Sequence, residues 1–222
     1  MDKEKVVSVK KLSFSYKNTL VLENCSLELY KNKIYTLLGE NGVGKTTFLN
    51  LLTNNIMNYS GNINIATSKI SYMTDEFFYY PYMNLQDMSN IVGILGDIET
   101  DKLKNNVDKY VEKLNLTPYK SINISELSLG TKKRIHLLLT LITDPDFIIM
   151  DEPTNGLDPM QVFSLIETIT ELKSEGKMFF ISTHSISLAK EISDDIFILK
   201  DKNIIKATNI DKVEDNFKKT IT

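Results

Sequence analysis

The chain has 222 residues, 26 basic and 29 acidic, for a formal net charge of -3, and its lysines are scattered with no basic block. This is enough for one domain with a substantial core, too short for two complete nucleotide-binding units, and an unfavourable charge balance for a nucleic-acid partner. The single cysteine, Cys25, cannot close an internal disulfide and reads as a small buried hydrophobe in a reducing compartment; no apolar run is long enough to span a bilayer, and Met1-Asp2-Lys3-Glu4-Lys5 lacks a signal peptide's apolar segment, so a soluble cytoplasmic chain is expected.

The N-terminal part alternates apolar and polar residues in short runs, Val7-Ser8-Val9, Leu12-Ser13-Phe14 and Leu27-Glu28-Leu29, which predict strands. The apolar run Lys33 to Leu38 predicts a buried strand, and it leads into Gly39-Glu40-Asn41-Gly42-Val43-Gly44-Lys45-Thr46-Thr47, the phosphate-loop pattern G-x-x-x-x-G-K-S/T. Glycines allow the backbone to wrap a phosphate with its N–H groups inward, Lys45 supplies a compact cation to the outer phosphates, and the Thr46 hydroxyl is placed for Mg²⁺. Thr47 to Leu52 continues as a helix whose N-terminus faces the anion, so a nucleoside triphosphate is implied.

Two further strands are expected at Gly61-Asn62-Ile63-Asn64-Ile65 and Ile70-Ser71-Tyr72-Met73. From 84 to about 143 the period lengthens, with Leu85, Met88, Ile91, then Leu103, Val107, Tyr110 and Leu114 at helical spacing, which predicts an inserted helical subdomain. Strand and helix then alternate: Phe147-Ile148-Ile149-Met150, a helix from Met160 to Leu172 opened by Asp158-Pro159, Met178-Phe179-Phe180-Ile181, and a hairpin of Ile196-Phe197-Ile198-Leu199 with Ile204-Ile205. This order predicts an α/β fold: a P-loop NTPase core with a mostly parallel sheet covered on both faces, preceded by an antiparallel β part and interrupted by helices, all within one domain, 1–222.

Asp151-Glu152 ends the strand at 147–150, where ligands of parallel sheets bind. Asp151 can hold Mg²⁺ through water, and Glu152 is then free to orient the attacking water. Taken alone, the pair could equally be two solvated acids at a strand end.

The ordered set Leu127-Ser128-Leu129-Gly130-Thr131, then Asp151-Glu152-Pro153-Thr154-Asn155-Gly156-Leu157-Asp158-Pro159, then Ser182-Thr183-His184-Ser185, resembles the nucleotide-binding subunit of ABC transporters over nearly the whole chain. The resemblance implies an ATPase with ATP and Mg²⁺ as ligands. Ser128 and Gly130 would belong to a signature loop contacting the γ-phosphate of ATP on a second protomer, identical or paralogous, in a head-to-tail dimer. Asn155 to Asp158 would cross the dimer interface, His184 would be the switch histidine at the γ-phosphate, and Tyr16 would stack on adenine. A separate membrane permease would place the subunit at the inner face of the cell membrane. His136 matches no motif and is assigned to the helix after the signature.

Departures from the family pattern are the signature LSLGT in place of LSGGQ, and Asp75 where a glutamine usually senses Mg²⁺ and the attacking water. An aspartate offers the metal an oxygen on a shorter, charged stem. Similar substitutions in exporter-type ATPases suggest an exporter. Phe77-Phe78-Tyr79-Tyr80-Pro81-Tyr82-Met83 cannot all face one core, because extended side chains alternate, and in the family this region helps form the groove for a short permease helix. The competing readings are a soluble ABC ATPase in an assembly complex and a nucleotide-dependent regulatory scaffold; the intact Glu152 and His184 argue against the scaffold.

Overall fold

The computed structural model describes residues 4–207, so the two ends of the expected domain span, 1–3 and 208–222, lie outside the described residues. The first half of the fold comprises β1 (Lys5–Tyr16), β2 (Thr19–Tyr30), β3 (Ile34–Leu38), α1 (Lys45–Leu52), β4 (Ser60–Ile65), β5 (Ile70–Met73), α2 (Leu85–Leu95) and α3 (Thr100–Lys113). There follow α4 (Leu129–Leu141), β6 (Phe147–Asp151), α5 (Pro159–Ser174), β7 (Met178–Thr183), α6 (Ile186–Ile192), β8 (Asp195–Lys200) and β9 (Asn203–Lys206).

A three-stranded antiparallel sheet has the order β2-β1-β4. The runs at 7–9 and 12–14 belong to one long strand bent at Lys11, where a φ of 50° and register shifts mark a bulge. Gly61 of β4 crosses this bulge with φ +98°, and a Cβ there would come 2.4 Å from the Lys11 carbonyl oxygen. Only glycine permits that approach.

The second sheet has the order β5-β6-β7-β3-β8-β9, parallel throughout except for the terminal β8–β9 hairpin. Its central strands β3, β6 and β7 are buried along their whole length, which explains their unbroken apolar runs. Strand alternation divides them between two cores: Phe147 and Ile149 pack with Tyr35, Leu37, Phe180 and the Phe48, Leu49 and Leu52 face of α1. Ile148 and Met150 pack on the other side with Phe179, Ile181 and the apolar faces of α3, α4 and α5. The sheet is thus covered on both faces, and α2, α3 and α4 occupy the stretch where the helical period was read.

Helix starts follow local chemistry. Asn84 with Asp87 and Asp158 with Gln161 form capping boxes for α2 and α5, with Pro159 in the first turn of α5. Ser128 caps α4 and Ser185 caps α6. The seven-residue α6 was not anticipated, because it buries only Leu188, Ala189 and Ile192, too few positions to establish a period.

Candidate active site

The chain leaves β3 at Leu38 and turns through the glycine loop into α1. Gly44 stands at the α1 N-cap with φ 113°, in left-handed space, and a Cβ there would lie 2.8 Å from Val21 Cγ1. No side chain caps α1 and its first turn carries no acid, so its leading N–H groups are not claimed by a side-chain cap. Lys45, the first residue of the helix, is almost fully buried, and its Nζ donates to the carbonyl oxygens of Gly39 at 2.8 Å and Glu40 at 3.0 Å.

β6 delivers Asp151 and Glu152 to the same end of the sheet. Asp151 is 1% exposed; the Thr46 hydroxyl donates to its Oδ2 at 2.6 Å and the Ser182 hydroxyl donates to its Oδ1. Glu152 is also buried, with φ 43°, an uncommon conformation for a residue with a Cβ, so the chain turns sharply between the two acids. Its Oε1 lies 3.0 Å from Lys45 Nζ, a charge contact not aligned as a hydrogen bond, and its Oε2 lies 3.0 Å from Nδ1 of the half-exposed His184. The C-terminal ends of β3, β6 and β7 therefore bring together Lys45, Thr46, Asp151, Glu152 and His184.

The remaining candidates lie in separate places. Tyr16 ends β1, half exposed, with its ring edge-on to Phe14 at 4.7 Å. Ser128 and Gly130 begin α4, where the Ser128 hydroxyl accepts from Thr131 N–H at 3.2 Å, and a Cβ on Gly130 would collide with the Gln161 side chain. Asp75 has its carboxylate against Lys133 Nζ at 3.3 Å and Asn155 Nδ2 at 3.2 and 3.3 Å, while its carbonyl accepts from Lys133 at 2.8 Å. Neither Lys133 nor the Asp75–Asn155 contact was read from the sequence.

Other groups complete the surroundings. Burial, then the charge of Asp151 and a hydrogen bond to it, with a smaller push from Asp75, raises the Tyr72 phenol well above its ordinary value. Cys25 is fully buried, its thiol donating to Lys202 O at 3.2 Å, and burial pushes it up, consistent with its reading as a packed hydrophobe. Ser182 has no role of its own in the motif pattern; its signal in the sequence is a hydroxyl that follows the apolar run of β7, and the structure sets it opposite Asp151 in register.

A buried lysine in a glycine loop beside two strand-end carboxylates defines a P-loop nucleotide hydrolase. The sequence family described as ABC transporter matches residues 22–155, more than half of the chain. An uncharacterized ABC transporter ATP-binding protein of Methanocaldococcus jannaschii is 34% identical over 209 residues, covering 94% of this chain and 78% of that one. The lantibiotic transport ATP-binding protein SrtF of Streptococcus pyogenes is 32% identical over 211 residues, covering 90% of each. Among solved structures, an ATP-binding cassette of an ABC transporter in its ADP conformation aligns with a TM-score of 0.86 at 20% identity over 96% of both chains. The chain belongs to the ABC transporter family as an ATP-binding subunit: it binds and hydrolyses ATP, and its role is transport-associated, not that of an assembly-complex ATPase. Subunits of this kind work with membrane permease components, and among the described residues no helix is long and apolar enough to cross a membrane.

Proposed function

We propose that the chain acts as one ATP-binding domain, with 84–143 as its helical subdomain, and drives a separate permease from the inner face of the cell membrane. The observation that carries this reading is the convergence of Lys45, Thr46, Asp151, Glu152 and His184 at the ends of three parallel strands. The glycine loop, Gly39 to Thr47, would cradle the phosphates and Tyr16 would take the adenine.

Thr46 and Asp151 present hard oxygens that suit Mg²⁺. No three His, Cys, Asp or Glu side chains cluster as a metal cage among the described residues. A sparse donor set fits Mg²⁺, which is usually held by one or two carboxylates plus substrate phosphates. When bound, the metal would neutralise charge on the phosphates. Glu152, held by Lys45 and His184 in this structure, would accept the proton of the attacking water once Lys45 turns to the outer phosphates and His184 to the γ-phosphate. On this reading Asp75 would have to leave Lys133 and Asn155 to reach the metal.

The site is completed by Ser128 and Gly130 of a second protomer, a copy or a paralogue, in a head-to-tail dimer around two ATP. Export is the direction favoured by Asp75 and by the relative that serves lantibiotic transport. The test is Glu152→Gln: it should bind ATP, hydrolyse it at least about a hundredfold more slowly, and accumulate as a dimer on a sizing column. A monomeric variant with normal turnover would remove Glu152 from the mechanism. Isolation under mild detergent should also bring down a multi-spanning permease.

A further inference from the structure

We propose that Ser182 is a positioning residue for hydrolysis, a hydroxyl that holds both strand-end acids in their working directions. Its side chain is fully buried at the end of β7, directly opposite Asp151 in the parallel register. The hydroxyl makes two bonds at once: it donates to Asp151 Oδ1 and accepts from the Glu152 backbone N–H at 3.0 Å. The same N–H also donates to the Ser182 carbonyl oxygen at 3.2 Å, a bond that substitution of the side chain leaves in place.

These contacts occur at a left-handed backbone turn. Glu152 has φ 43°, a conformation that costs a residue with a Cβ on the order of 1–3 kcal/mol and persists only where its surroundings hold it. The turn aims Asp151 at Thr46 and Glu152 at Lys45 and His184. A pair of acids one residue apart on a straight strand would point to opposite faces. Ser182 grips the turn from both sides, by the carboxylate before it and the amide after it.

Asp151 has two further partners, the Thr46 hydroxyl and the Tyr72 phenol, and the first of them is exchangeable. Thr46 donates its only hydroxyl hydrogen to Oδ2, and on the proposed reading that hydroxyl is also a metal ligand. Ser182 lies behind the acids, is closed to solvent and has no other task in the proposed site. With Tyr72 it therefore keeps Asp151 aimed when Thr46 turns away, and it alone of the two also holds the Glu152 N–H. Alanine would leave Oδ1 of a buried carboxylate without this donor, and the loss of one hydrogen bond to a charged group corresponds to about a tenfold change in an equilibrium.

This inference rests on Asp151 being the metal-facing acid, so the experiment includes Asp151→Asn beside Ser182→Ala and Ser182→Thr, which retains the hydroxyl. Binding of a fluorescent ATP analogue is measured with EDTA and across a Mg²⁺ titration, with Mg²⁺-dependent turnover and thermal midpoint alongside. Expected for Ser182→Ala is an unchanged affinity in EDTA and about a tenfold higher Mg²⁺ requirement in both binding and turnover, with Ser182→Thr close to wild type. A merely structural serine would lower the thermal midpoint of Ser182→Ala and leave the Mg²⁺ requirement alone, which would overturn the proposal. If Asp151→Asn moves the Mg²⁺ requirement and Ser182→Ala does not, only the role of Ser182 fails; if neither moves it, the reading of the acids fails. Should the threonine methyl prevent folding, Ser182→Cys takes its place, and its weaker donor should give a Mg²⁺ requirement between wild type and alanine.

Discussion

The carboxylate of Asp75 already has partners, Lys133 and Asn155, so a metal would have to compete for it. If Asp75 serves the metal, Lys133→Met should lower the Mg²⁺ concentration for half-maximal turnover by freeing the acid, and Asp75→Asn should raise it because a neutral amide oxygen is a weaker ligand. No change in either variant would leave Asp75 as a tether between the loop after β5, α4 and the loop after β6. His136 is the second residue with a clear consequence. It is buried and stacked on Phe77 at 4.7 Å, and burial, then the Lys133 charge, pushes its imidazole down to about 4. The unfolded chain takes up the proton first as pH falls below the ordinary histidine value near 6.5, so this contribution is intact above that pH and is lost toward pH 4, by up to about 3 kcal/mol. Denaturant titrations at pH 7.5 and 5 should show a larger loss in wild type than in His136→Leu. Equal losses would assign the acid sensitivity to other groups.

At the scale of elements, the segment 77–83 follows the alternation of an extended chain through Tyr80 and then turns at Pro81-Tyr82. Phe77 and Tyr79 pack against the helical side of the core, whereas Phe78, Tyr80 and Tyr82 are 78%, 61% and 89% exposed. The segment is anchored: Ser125 Oγ donates to Pro81 O at 2.7 Å, and Lys132 Nζ donates to the Tyr79 hydroxyl at 3.1 Å. Three exposed rings on a held backbone are suited to a permease contact, since such a surface docks without much ordering cost. Replacing Phe78, Tyr80 and Tyr82 together by serine should abolish co-purification with the permease and its stimulation of turnover, with the thermal midpoint within a few degrees of wild type. Undiminished co-purification would place the contact elsewhere. The alternation was legible in the sequence; which rings turn inward was not, because that parity depends on where β5 releases the chain.

For the whole molecule, the proposed head-to-tail dimer makes a prediction that a self-sufficient subunit does not share. Lys45→Ala should fail to bind ATP firmly, and Ser128→Arg should bind it but not turn over. Mixed in equal amounts, they can form one complete site from the intact loop of one protomer and the intact signature of the other. Turnover of the mixture should exceed the sum of the separate variants severalfold. A simple sum would exclude a site shared between two copies of this chain.

What the residues determined unaided is what local chemistry encodes. The phosphate loop needs glycines and a lysine in a fixed order, buried parallel strands need continuous apolar runs, and α2, α4, α5 and α6 begin at capping side chains, so loop, strands and most helices could be read directly. The tertiary structure alone decided which distant side chains meet. Ser182 opposite Asp151, Lys133 against Asp75 and Lys45 against Glu152 depend on strand order and register, and the sheet runs β5-β6-β7-β3, not in chain order. Residue spacing carries no information about that order, because it is set by burial of two faces of the sheet at once, a property of the packed molecule.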